Sequence, residues 1–168
     1  MKKKNKLNLK ILRFFNVIGC DESIKIGNTS KKSKHLFNNI CNSILYSKQF
    51  KIYGMDYDTP DGTCIRDFID VLDLSKIIHF FINTNNINRN IFNIGMNKGY
   101  SVLEIINKFQ KILKIKINYK SGIKRKGDVP QLVCDNSRLK KYYKNRFINI
   151  QTSIINHYKF YKKINKKK

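Results

Sequence analysis

Tyr53 to Leu74 reads Y-G-M-D-Y-D-T-P-D-G-T-C-I-R-D-F-I-D-V-L-D-L. Asp56, Asp58, Pro60, Asp61 and Gly62 crowd five turn formers into seven positions, so the chain must reverse before Arg66. Ahead of the turns, Phe50–Tyr53 is a short strand. After them, R-D-F-I-D-V at 66–71 alternates as a strand does. A helix to Ile82 follows, with Asp73 placed to cap it and Leu74, Ile77, Ile78, Phe81 and Ile82 as its apolar stripe. Arg66 stands at the mouth of the strand, beside a tight loop. Its planar fork suits a bidentate grip on phosphate or carboxylate; it also suits a surface ion pair with Asp67 or Asp70.

Strands and helices alternate outward from this stretch. Leu9–Phe15 reads as a buried strand ended by Asn16, and Val17–Ser33 as a polar loop. His35–Tyr46 reads as a helix with Leu36, Ile40, Ile44 and Leu45 on one side. Beyond the opening stretch, Thr84–Asn90 is an Asn-rich loop and Ile91–Ile94 a strand ending at Gly95. Ser101-Val-Leu-Glu104 is a capping box that starts a helix to about Leu113. Lys116–Tyr119 reads as a strand, Ser121–Asp128 as a basic loop, Asn136–Lys144 as a short helix and Ile150–Tyr161 as the last helix. Residues 162–168 read as a disordered lysine tail. This alternation predicts α/β architecture, and 168 residues suffice for one core, so residues 1–161 form one unit.

The chain carries 35 Lys and Arg against 11 Asp and Glu, a formal charge of +24. Such an excess points to nucleic acid or an anionic surface. Lys, Asn and Ile dominate together, however, and all three have A- and T-rich codons. The lysines are scattered, with dense clusters only at 2–4 and 162–168, and are not interleaved with aromatics on one element. Compositional drift is the better account, and nucleic acid is not the expected partner. Cys20, Cys41, Cys64 and Cys134 lie far apart without a C-x-x-C pair, which excludes a zinc ribbon and a thioredoxin-like site. Free thiols fit a reducing, cytoplasmic setting. His35, His79 and His157 are isolated, so no metal site is expected. The basic start is broken by Lys10 and Arg13 and is not read as a signal peptide. No apolar run is long enough to predict a membrane span.

The opening stretch and its flanks resemble the UDP-glucose 4-epimerase branch of the extended short-chain dehydrogenase/reductases, the NAD-dependent epimerase/dehydratase family. The matching blocks are L-R-F-F-N-V-I-G at 12–19, H-L-F at 35–37 and K-I-Y-G-M-D-Y-D-T-P-D-G-T-C-I-R-D-F-I-D-V-L-D-L at 51–74. F-N-I-G-M-N-K-G-Y-S-V-L-E at 92–104 and K-R-K-G-D-V-P at 124–130 complete them. The resemblance implies the C-terminal part of an extended Rossmann-type epimerase: the last strands of the sheet plus the small substrate-binding α/β domain. The family's glycine-rich dinucleotide motif and Tyr-x-x-x-Lys pair belong to the other half. No G-x-x-G-x-x-G occurs here, and Tyr158 with Lys162 has the second spacing only by chance, far after the expected place.

The resemblance implies site roles residue by residue. Arg66 and Arg125 hold a diphosphate, Asp128 accepts ribose hydroxyls, and Asn16 donates toward phosphate and sugar. Lys51, Ile52 and Tyr53 flank uracil, with Tyr53 as a stacking face, while His35 and Leu36 close over the nucleotide. Phe14 stands where a tyrosine is common in the family, and Asn38 where proline is usual. NAD is the implied cofactor and a UDP-sugar the implied ligand, in galactose metabolism. The family's homodimer and a separately encoded N-terminal half are the implied partners. No catalytic residue is expected in this chain, which would be inactive alone and would expose apolar surface. The alternative reading is a non-catalytic nucleotide-sugar or basic nucleic-acid-binding fragment.

Overall fold

The computed structural model describes residues 9–30, 35–84, 87 and 90–165. The lysine clusters at 2–4 and 166–168, the basic start and part of the Asn-rich 84–90 loop lie outside them. In chain order the elements are β1 (Ile11–Phe14), β2 (Asn16–Ile18), α1 (Leu36–Leu45), β3 (Phe50–Tyr53), β4 (Ile65–Asp70) and α2 (Val71–Asn83). They continue with β5 (Ile91–Ile94), β6 (Gly99–Ser101), α3 (Val102–Leu113), β7 (Tyr119–Gly122), β8 (Gln131–Leu132), α4 (Ser137–Lys140) and α5 (Ile150–Asn165). The mixed α/β architecture expected from the sequence is present.

Much of the chain meets at β4. Its second half runs parallel to β2, with Phe68 opposite Asn16. Its first half is flanked by β6, antiparallel, and β8, parallel, so that Arg66 faces Tyr100 on one side and Leu132 on the other. β1 pairs with β5, and β3 with β7, both in parallel. Alternation along β4 divides the interior. Phe68 enters a cluster with Phe37, Ile40, Ile52, Ile105, Phe109 and Ile154, enclosed by α1, α3 and α5. Ile69 enters a second cluster with Leu74, Ile77, Phe81, Phe92, Ile94 and Leu139. Phe37 anchors the first, with its ring 5.3 Å from Phe68 and 5.2 Å from Phe109. Burying such a phenylalanine contributes about 2–3 kcal/mol.

Asp67 shows why the R-D pair of β4 is not an ion pair. Its carboxylate is buried and accepts from the amides of Met96 at 2.8 Å, Cys134 at 3.2 Å and Lys98 at 3.4 Å. It thereby holds the β5–β6 turn and the exit from β8. Burial pushes its pKa up, against the backbone amides that favour the charged form.

Several boundaries differ from the sequence expectation. Asp70, not Asp73, caps α2, accepting from Leu72 N–H at 2.9 Å. Asp73 lies within the first turn, where its carboxylate takes the Ile148 amide at 2.6 Å. Of the expected α2 stripe, Leu74, Ile77 and Phe81 are buried, while Ile78 is 37% and Ile82 73% exposed. Asn16 begins β2 rather than merely ending a strand. β1 is not buried as its apolar run predicts: Ile11 is 42% and Phe14 54% exposed. Among the described residues β5 is its one strand neighbour, which leaves the other edge bare. The strand expected at Lys116–Tyr119 lies at Tyr119–Gly122, where pairing with β3 sets it. The helix expected over Asn136–Lys144 is the single turn of α4. α5 runs through Asn165, so residues 162–165 are helical rather than a disordered tail. The capping box is present: Glu104 N–H donates to Ser101 Oγ at 2.9 Å, and Ser101 N–H to Glu104 Oε2 at 2.7 Å.

Candidate functional site

A cavity of about 570 Å³ opens between β2, the start of α1, β3 and β4. Cys64, Arg66 and Phe68 reach it together because alternate residues of a strand share a face. The nine residues singled out from the sequence all line it: Asn16, His35, Leu36, Lys51, Ile52, Tyr53, Arg66, Arg125 and Asp128. Four separate elements and the loop after β7 contribute them.

Arg66 is oriented before any ligand arrives. Its Nη1 donates to the carbonyls of Ile65 and Val129, both at 2.9 Å, and its Nη2 lies 3.5 Å from Asp128 Oδ1. The ion pair is therefore with Asp128, not with Asp67 or Asp70. Asp67 is committed to backbone amides, and Asp70 accepts from Leu72 N–H and, at 2.5 Å, from the Ser153 hydroxyl. The Arg125 guanidinium lies over Tyr53, with its central carbon 3.9 Å from the ring centroid, and Lys51 Nζ is 5.2 Å from the same centroid. Asn16 donates to the Asp67 carbonyl at 3.0 Å, which ties β2 to β4 at the cavity wall. Two guanidiniums and an ammonium against one carboxylate make this part of the cavity cationic. Planar guanidinium forks match pairs of phosphoryl oxygens.

Helix starts sort by what occupies them. Asp70 accepts at α2, Ser101 and Glu104 at α3, and Asn149 takes the Thr152 amide at α5. At α1 no side chain among the described residues makes a capping hydrogen bond, and its first residues line the cavity. A helix start without a side-chain cap favours anionic oxygen.

The sequence reading passed over part of the wall. His157 was taken as isolated, yet it is buried beside the cavity, where Gly19 N–H donates to its Nδ1 at 3.2 Å and Asn38 Oδ1 lies 2.9 Å from its Nε2. Gly19 has φ +87°, and a Cβ there would lie 2.5 Å from Asp70 Oδ2, so glycine is needed at this approach. Nothing in local periodicity signals a pairing between residues so far apart. Tyr158 packs partly buried against the first cluster, and neither Tyr158 nor Lys162 lines the cavity. The four cysteines are buried and unpaired, and burial pushes the thiols of Cys20 and Cys134 up to about 11 and about 12. No helix among the described residues is long and apolar enough to cross a membrane.

The chain is similar to known proteins. The UDP-glucose 4-epimerase of Lactobacillus helveticus is 35% identical over 158 residues, covering 90% of this chain and 47% of that relative. That of Mycoplasma pneumoniae is 36% identical over 135 residues, covering 77% and 39%. The crystal structure of UDP-glucose 4-epimerase from Bifidobacterium longum, in complex with NAD+ and UDP, superposes with a TM-score of 0.81 at 31% identity, over 92% of this chain and 47% of that one. The chain thus spans about half the length of the relatives it matches. A model of the NAD dependent epimerase/dehydratase family matches residues 1–95, more than half of the chain, and the chain belongs to that family.

Proposed function

We propose that the cavity binds the UDP part of a nucleotide sugar, and that these residues form the UDP-holding portion of a UDP-glucose 4-epimerase, which interconverts UDP-glucose and UDP-galactose in galactose metabolism. The observation that carries this reading is the convergence of Arg66, Arg125 and Asp128 on one cavity from a strand and a distant loop. Arg66 and Arg125 hold the diphosphate. Arg66 keeps its two backbone carbonyls and exchanges the long 3.5 Å contact to Asp128 for phosphoryl oxygens. Asp128, released, accepts the ribose hydroxyls. Tyr53 offers its face to uracil once Arg125 leaves the ring for the diphosphate, so one side-chain movement opens the base site and completes the phosphate site. Asn16, His35, Leu36, Lys51 and Ile52 shape the remaining wall.

The family's cofactor, NAD, supplies hydride chemistry, and the glycine-rich motif that holds it is absent from these residues. A dinucleotide needs a glycine-rich turn into a helix start, and the starts of α2 and α3 are closed by carboxylates and a hydroxyl. No step is assigned through NAD, and no residue of this chain is assigned a catalytic role. Epimerisation on this reading requires further chain, in the same polypeptide or in a partner half.

Calorimetry with UDP tests the proposal. UDP is expected to bind, and Arg66→Ala to abolish the signal while the protein still melts cooperatively. Absence of UDP binding by the unaltered chain would sink the reading. If binding to DNA or RNA at low salt appears instead, the basic surface is the functional one.

A further inference from the structure

One contact chain behind the cavity fixes the positions of individual hydrogens. His157, on α5, is 4% exposed, and its Nδ1 accepts from the backbone N–H of Gly19 at 3.2 Å. A backbone N–H can only donate, so Nδ1 bears no proton. A neutral imidazole must then carry its proton on Nε2. Burial lowers the His157 pKa to about 4, so the neutral ring is the form present near pH 7. Nε2–H donates to Asn38 at 2.9 Å, and the Asn38 atom it meets must be the oxygen. The tautomer of one residue thereby fixes the amide orientation of the other.

That orientation leaves the NH2 group of Asn38 on the other side. Asn38 is fully buried, and its Nδ2 has no hydrogen-bond partner among the described residues. A buried donor left unpaired is costly, and native interiors seldom keep one. Asn38 also lines the cavity that holds Arg66 and Asp128. It sits in the first turn of α1, a ten-residue helix whose start has no side-chain cap among the described residues and no acidic residue in its first turn. The helix start and the amide donor therefore favour the same kind of partner, an anionic oxygen.

We propose that the Asn38 side-chain amide donates to a phosphoryl oxygen of the nucleoside diphosphate, making Asn38 a specificity-determining residue of the cavity. The inference rests on the UDP reading above and deepens it. His157 is the positioning residue: it holds the amide the right way round, through a bond to a different element, without touching the ligand. α5 thereby helps to set the binding chemistry of a wall to which it adds no contact of its own with the phosphate.

The test compares UDP with uridine, which lacks the phosphates. Asn38→Asp keeps the oxygen that His157 needs and replaces the donor. It buries a carboxylate and is expected to melt below the parent; well below its own melting temperature it is expected to lose at least tenfold in UDP affinity and to leave any uridine binding unchanged. A second measurement needs no substitution: in the unaltered protein, the Asn38 side-chain amide signal in a nitrogen-15 NMR spectrum should shift with UDP and stay in place with uridine. Failure of the unaltered protein to bind UDP overturns the underlying reading and the inference with it. UDP binding with an unmoved Asn38 amide signal, or with full affinity in a folded Asn38→Asp, overturns the inference alone and means that water serves the amide.

Discussion

Phe68 and Ile69 are neighbours on β4, yet they enter interiors with different exteriors. The Phe68 side is enclosed by α1, α3 and α5, and its aromatic centre is almost fully buried. The Ile69 side is packed against α2 and β5, and on β1 and α2 Phe14 is 54% and Ile82 73% exposed. Both clusters have fully buried centres, but the second is covered by fewer helices, and β1 and α2 beside it carry these two exposed apolar side chains. The candidate site belongs to the enclosed side, where rigid walls can hold Arg66 and Asn38 in place.

The sharpest way to break this contrast is to remove a ring from the enclosed side. Phe109→Ala is expected to cost about 3–5 kcal/mol in urea unfolding, because three packed helices cannot collapse onto the gap. A cost near 1 kcal/mol would mean that this side is no better packed than the other.

Acid should loosen the same side next. The His157 ring titrates near 6.5 when unfolded and near 4 in the fold, chiefly through burial and secondarily through His35. Between those values the unfolded chain binds the extra proton. The His157 contribution is therefore complete above about pH 6.5 and is lost as pH falls toward 4, by roughly 3 kcal/mol. Asp67 and Asp73, whose pKa values are raised by burial, work in the opposite direction. Comparing the pH slope of the parent with that of His157→Gln cancels them, and the variant should show the shallower acid loss.

A smaller effect is expected where the enclosed side meets the turn-dense loop. Ser101→Ala removes the cap of α3 and the hydroxyl's bond to Asp61, for an expected loss of about 1–2 kcal/mol in thermal or urea unfolding. The smallest belongs to the other side: Ile82→Lys should change stability by less than about 0.5 kcal/mol, since that side chain is 73% exposed. A loss as large as that of Phe109→Ala would show that the outer face is covered in solution, and the contrast would fall.

How much of this could be read in advance depended on distance along the chain. The reversal before Arg66, the alternation of β4 and the capping box at Ser101 are local, and each is as the residues imply. The nine wall residues were reachable through motif resemblance, which carries spatial information that periodicity lacks. β6 and β8 went unread because two or three residues show no period. The helix cap went to Asp73 on spacing, whereas Asp70 holds it, because both are aspartates near a helix start and only the backbone path tells them apart. The stripe on α2 is apolar as its residues imply, and only Leu74, Ile77 and Phe81 of it are buried.

By itself, the sequence determined where the chain turns, that strands and helices alternate, and that its motifs are those of a nucleotide-sugar family. Those properties depend on residues within a few positions of each other. Only the tertiary structure decided that Arg66 pairs with Asp128 and leaves Asp67 to backbone amides, that His157 sets the amide of Asn38, and that Phe14 and Ile82 stay exposed. Each of these is a choice among partners distant in sequence. Hydrogen-bond geometry and packing make that choice once the chain has brought the candidates together.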